Sequence, residues 1–261
     1  MRFVTGVLLT IGLTARADAQ PPAKWVAVSG QVVLPAEVAV PKQKQAEVAQ
    51  DKPHCLKDGP LLDERVVVGA KSRGVRDVVV WLRPDRTELK AKFAPHEIHP
   101  DDAKRKPRDV VVEMKGCRFV PHVSTARVGD TVVVRNADPI AHNFYGSGQL
   151  EIGTPVAKQS EWRMPKPLIE EATTVYDFKC TIHPWMGGAM RVFDHPYYAV
   201  TDADGKFEIR NAPAGKYRLV FWHENVGIKG GKDGRAGTPI EITARADNTV
   251  ALTPTPFDVT K

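Results

Sequence analysis

Cys180-Thr181-Ile182-His183-Pro184-Trp185-Met186 is the stretch of this chain richest in reactive side chains, a Cys-x-x-His-x-x-Met run that ends a β-patterned segment and enters a proline-containing loop. A second histidine, His142, lies upstream in Ala141-His142-Asn143, after a Val-rich run and the turn-prone Asn136-Ala137-Asp138-Pro139. One thiolate, two imidazoles and one thioether form the donor set of a trigonal His2Cys copper site with a weak axial Met. Soft sulfur favours Cu(I) and imidazole serves Cu(II), so one fixed intermediate geometry would let a single ion hold either state. The expectation is copper held by His142, Cys180 and His183, with Met186 on the axis. Zinc is the weaker metal for this set, because structural zinc sites prefer four Cys or His ligands to a thioether. The bland alternative is a structural cysteine, a turn histidine and a core-filling methionine.

Such a site needs strands to hold it. In Thr174-Val175-Tyr176-Asp177-Phe178-Lys179-Cys180, alternation puts Tyr176, Phe178 and Cys180 on one face and Asp177 and Lys179 on the other. Similar Val-rich or alternating runs bounded by Gly, Pro, Asp or Asn recur from Trp25 to Leu252. Helical periodicity is weak and confined to Pro41–Gln50 and Pro165–Ala172. The pattern is all-β. Pro- and Lys-rich stretches at Pro35–Pro53 and Pro95–Pro107 read as long solvated connections, and Asp194-His195-Pro196 closes the middle segment. The expected division is residues 1–19 as a leader, an N-terminal β region over 20–109, a middle unit over 110–194 and a C-terminal unit over 196–257. Whether residues 20–109 fold apart or complete the middle unit stays open.

Gly129-Asp130-Thr131 before a Val-rich strand, then Asn136, then His142-Asn143, then Cys-x-x-His-Pro-x-Met, resemble the cupredoxins, and among them the amicyanin and pseudoazurin group. The resemblance spans about residues 110–193. It implies a Greek-key β-sandwich, one type 1 copper and outer-sphere electron transfer with a redox-protein donor or acceptor. It also implies that Asn143 ties its loop to the cysteine loop at Thr181, and that the His183 edge is an electron port within a docking patch of Ile182, Pro184 and Trp185. Copper enzymes of the family place a histidine beside the cysteine; here the neighbours are Lys179 and Thr181, which points to a carrier and not an enzyme. The segment Gly116-Cys117-Arg118-Phe119-Val120-Pro121-His122 is similar to an exported, methylamine-utilisation-like cupredoxin group. Residues 196–253, with Asp204-Gly205-Lys206-Phe207 and Ala212-Pro213-Ala214-Gly215-Lys216-Tyr217, resemble the carboxypeptidase regulatory-like, transthyretin-like β-sandwich, which implies a structural or binding module.

The chain has 261 residues, 42% of them apolar, with 37 Lys and Arg against 31 Asp and Glu. The small basic surplus forms no stripe interleaved with aromatics, which excludes nucleic acid as an expected partner. Arg2, the apolar run Phe3–Leu13 and Ala17-Asp18-Ala19 read as a cleaved export signal, since that run falls short of the roughly 20 apolar residues a span needs. No transmembrane segment is expected in the mature protein, and its expected location is the periplasm or cell surface. In that oxidising setting the two other cysteines, Cys55 and Cys117, most simply form one disulfide; a second metal site using His54 or His122 is the rival. His96 and His99, near Glu97, Asp101 and Asp102, read as a solvated loop with neither strand nor helix. Asp202-Ala203-Asp204-Gly205 reads as a hairpin turn without the later Glu of a calcium loop. His223 and Glu224 read as a packed corner beside Trp222. A copper store or polymer-binding module without redox turnover is the competing class of function.

Overall fold

The computed structural model describes residues 25–151, 153–171, 175–244 and 249–260, so the expected leader and Thr174 lie outside the described residues. Two strands come from the N-terminal region, β1 (Trp25–Val33) and β2 (Val79–Pro84). The middle of the chain contributes β3 (Asp109–Met114), β4 (Phe119–Val120), β5 (Val123–Arg127), β6 (Thr131–Asn136), β7 (His142–Gly146), β8 (Gly153–Val156), β9 (Glu161–Arg163), β10 (Tyr176–Lys179) and β11 (Gly187–Phe193). The C-terminal part contributes β12 (Tyr198–Val200), β13 (Lys206–Pro213), β14 (Gly215–His223), β15 (Gly227–Ile228), β16 (Thr238–Ile242), β17 (Thr249–Ala251) and β18 (Thr255–Pro256). The fold is all-β and built of sandwiches.

Strands β3 to β11 form the two sheets of one sandwich, ordered β4-β3-β6-β9 and β5-β11-β10-β7-β8. Each contains one parallel pair, β3 with β6 and β5 with β11. The Val runs of β3 and β6 supply inward Val112, Met114, Val132 and Val134, which meet Phe144, Phe178, Met190 and Val192 of the facing sheet. Phe119, Phe144 and Phe178 pack with ring centroids 5.0 to 6.0 Å apart, in the edge-on and tilted arrangements aromatic quadrupoles favour.

The second sandwich joins the two ends of the chain. β1 pairs antiparallel with β13 and parallel with β17 and β18, while β2 lies between β12 and β14. β2 is apolar at nearly every position because both its faces are covered. Val80 and Leu82 point into the core of the second sandwich, whereas Val79 and Trp81 join Val220 against Val123, Ala189 and Phe193 of the first. Arg191 lies over the ring of Trp81 at 4.5 Å, a buried cation–π contact at that junction.

Several local expectations are corrected. Neither expected helix is present over its described residues, and helical turns occur instead at α1 (Lys52–Cys55), which starts at the end of the expected Pro35–Pro53 connection, and at α2 (Pro100–Ala103), inside the Pro95–Pro107 one. His99 caps α2 by accepting from the Asp101 N–H at 3.2 Å, so the His96–Asp102 stretch is more ordered than a solvated loop. The Asp202–Gly205 turn exists, with Gly205 at φ 73°, but it links β12 and β13, which belong to different sheets. Its tightness comes from Asp202, whose carboxylate accepts the N–H groups of Asp204 and Lys206. No helix among the described residues is long and apolar enough to cross a membrane.

Candidate metal centre

Alternation in β10 buries Tyr176 and Phe178 and exposes Asp177 and Lys179, and the next inward position is the fully buried free thiol of Cys180. The loop then doubles back: Cys180 N–H donates to the Met186 carbonyl at 3.1 Å, and Met186 N–H donates to the His183 carbonyl at 2.9 Å. Those two bonds fold His183 and the buried Met186 over the end of the sandwich. His142 opens β7, and the turn before it is held by Asn136, whose amide donates to the carbonyls of Ile140, Val156 and Ala157.

His142, Cys180 and His183 converge. Their donor atoms all lie within 4.8 Å of one another, and all three residues are buried. Cys180 Sγ stands 4.0 Å from His142 Nδ1 and 3.7 Å from His183 Nδ1, and the two Nδ1 atoms are 2.9 Å apart. The outer nitrogens are occupied: His142 Nε2 lies 3.0 Å from Asp138 Oδ2, and His183 Nε2 lies 2.8 Å from Asp51 Oδ2. A carboxylate holds an N–H proton on the nitrogen facing it, which leaves lone pairs on both Nδ1 atoms. Two lone pairs and a sulfur directed at one point call for a cation between them. Trigonal donors at protein metal–nitrogen and metal–sulfur lengths stand about 3.6 Å (N to N) and about 3.8 Å (N to S) apart. The sulfur distances fit, and the histidine pair would open by under about 1 Å. A soft sulfur with two imidazoles suits copper, so the residues present fit that ion.

The electrostatics agree. Burial raises the Cys180 thiol, but the adjoining imidazoles of His142 and His183 and the backbone N–H groups of Asn143 and His183 outweigh it and bring the pKa down to about 6. Burial opposes the His142 imidazolium, but Asp138 and the Cys180 sulfur together raise its pKa. Asp138 is desolvated as well, yet His142 and the N–H groups of Cys117 and Gly116 hold its carboxyl well below the usual carboxylate range. Those two N–H bonds are 2.9 and 2.7 Å long. The Asn143 side chain meets Thr181 twice, its amide 2.5 Å from the Thr181 hydroxyl and its oxygen accepting the Thr181 N–H at 2.7 Å. Asn143 N–H also points at Cys180 Sγ at 3.4 Å.

Cys55 and Cys117 form a disulfide. It pins α1 beside the centre, where His54 Nε2 comes within 3.0 Å of Asp138 Oδ1. The sequence assigns no role to Asp51 or Asp138 and offers His54 only as a ligand of a rival second metal site, whereas His54 faces the Asp138 carboxylate. Asp138 was findable, four residues before His142; nothing local marks Asp51. The expected His183 edge is not open: His183 has no exposed surface, and Asp51 lies on it. Of the expected docking patch, Pro184 is exposed and Ile182 and Trp185 are half-buried. The Trp185 ring meets His183 edge-on with centroids 5.1 Å apart. A cavity of about 700 Å³ runs beside this loop, lined by Pro184, Trp185 and Met186 and by Arg118, His122 and Glu224.

The other candidates resolve differently. His122 and Glu224 pair with each other across the two sandwiches, so Glu224 is more than a packed corner. His223 is buried and accepts the Asn225 N–H, with burial pressing its pKa down to about 4. Among the described residues two further clusters could hold a cation. One contains His54 and Asp138 but has Cys117 committed to its disulfide, and in the other, Glu171, Asp194 and His195, Arg191 and Lys92 already face the carboxylates.

No family profile and no curated protein matches this chain. Among solved structures, an oxidised proline variant of amicyanin is 26% identical over 33% of this chain and 82% of its own, with TM-score 0.29. A copper-containing nitrite reductase from Thermus scotoductus is 26% identical over 33% of this chain and 22% of its own, also at TM-score 0.29. The Cu(I) form of a methionine variant of amicyanin is 25% identical over 38% of this chain and 95% of its own, at TM-score 0.30. These likenesses extend to little more than a third of the chain.

Proposed function

We propose that this chain is an exported type 1 copper protein that carries single electrons. The observation behind the reading is the buried convergence of His142 Nδ1, His183 Nδ1 and Cys180 Sγ within 4.8 Å, with both outer nitrogens held by carboxylates. Bound there, copper would supply a one-electron Cu(I)/Cu(II) couple, and His142, Cys180, His183 and Met186 are the residues that would hold it. The protein's part is to keep those donors in nearly the same places in both states. Asn143 and Thr181 lock the two ligand loops together, and the phenylalanine trio beneath Cys180 excludes water.

Lys179 and Thr181 as neighbours of Cys180 favour a carrier over an enzyme. With Asp51 over the His183 edge, Pro184 and Trp185 are the natural contact for a redox partner, through the ring that touches His183. The disulfide favours an oxidising compartment. The second sandwich we assign as a structural or binding module.

Burial of His183 favours a second reading, a copper store. The two separate on redox cycling of the copper-loaded protein with ascorbate and ferricyanide. A carrier takes up and returns one electron per copper, whereas copper that stays bound but resists both reagents would exclude the carrier and leave the store.

A further inference from the structure

Resting on the copper reading, we infer that residues 51–55 form a disulfide-latched cap in which Asp51 is the positioning residue for His183. The cap is built from three contacts. The Cys55–Cys117 bond ties α1 to the sandwich across a sequence separation of 62 residues. Within the turn, the Asp51 carbonyl accepts the N–H groups of His54 at 3.0 Å and Cys55 at 2.9 Å, which fixes Asp51 one turn from the latch. Asp51 sits at φ 51°, a left-handed conformation that Asp tolerates better than most residues and that the capped turn holds in place.

From there the turn reaches both histidines. Asp51 Oδ2 meets His183 Nε2 at 2.8 Å, and His54 Nε2 stands 3.0 Å from the Asp138 carboxylate that orients His142. Asp51 is itself 41% exposed on its side chain while His183 is fully covered, so the cap is one side chain thick. An imidazole whose far nitrogen donates to a carboxylate keeps its near nitrogen free for metal and is a more basic ligand. Copper leaving through this edge must first displace Asp51. Copper retention therefore depends on a residue 132 positions from His183 and on the oxidation state of the Cys55–Cys117 disulfide.

The test uses the full oxidised chain, its Asp51→Ala, Asp51→Glu and Cys55→Ser/Cys117→Ser variants, and two readouts. In the metal-free protein, side-chain nitrogen NMR should find His183 protonated at Nε2 in wild type and a mixed tautomer in Asp51→Ala. In the loaded protein, transfer of Cu(I) to bathocuproine disulfonate should run about 10- to 100-fold faster in Asp51→Ala, return toward wild type in Asp51→Glu, and be fast again in the double serine variant. An unchanged His183 tautomer together with copper release within twofold of wild type in Asp51→Ala would overturn the cap. A wild-type protein that takes no copper refutes the copper reading alone, because the tautomer measurement on the metal-free chain still decides the role of Asp51.

Discussion

Cys180 shows how much a single residue's surroundings decide. Buried alone, its thiol would stay protonated near neutrality; two imidazoles and the backbone N–H groups of Asn143 and His183 bring its pKa down to about 6. Copper then meets a thiolate above that value and must displace a proton below it. The apparent copper affinity should accordingly begin to fall as pH drops through the raised His142 value and fall more steeply below about pH 6, by about tenfold per pH unit for each proton displaced, as competition with a chelator of known affinity would show. A flat profile from pH 4 to 8 would contradict thiolate ligation. The ligands were legible because their types and their spacing at 180, 183 and 186 are local facts of the sequence. Asp51 was not, because what places it is a covalent bond between two cysteines far apart in the chain.

Elements were legible in proportion to how much of their stability is their own. The Val-rich β3 and β6 and the alternating β10 carry inward side chains that announce a strand. Short strands such as β4, β8, β9 and β15 hold only two to four residues and exist because a neighbour offers hydrogen bonds, which no local pattern records. The helical turn α1 is another such case, since an isolated turn is unstable in water and tertiary attachment has to hold it. Its attachment is the disulfide. Replacing Cys55 and Cys117 by serine should lower unfolding free energy by about 2–5 kcal/mol, read by denaturant unfolding of the metal-free protein. A loss below about 0.5 kcal/mol would mean that α1 docks without its latch.

At the scale of the whole molecule, strands from both chain ends close one sandwich around a second sandwich inserted between them, and a sequence scan for local runs has no means to see β1 reach β13, β17 and β18. The two bodies meet at an apolar patch around Trp81 and Phe193 and at the His122–Glu224 pair. Burial disfavours the His122 imidazolium, but Glu224 outweighs it and raises its pKa above the ordinary histidine value. A raised histidine stabilises most below its unfolded pKa and loses that contribution as pH climbs through the folded value. Thermal unfolding should therefore show stability falling from about pH 6.5 upward, with that slope removed in Glu224→Gln. A wild-type slope that survives Glu224→Gln would remove this pair as its source. The central claim, that one thiolate and two imidazoles grip a single copper ion, is tested most directly by the visible spectrum of the Cu(II)-loaded protein beside its Cys180→Ser variant. One copper per chain with an intense visible band that vanishes in the variant is the expected result. A colourless loaded protein, or a band that persists without Cys180, would contradict it.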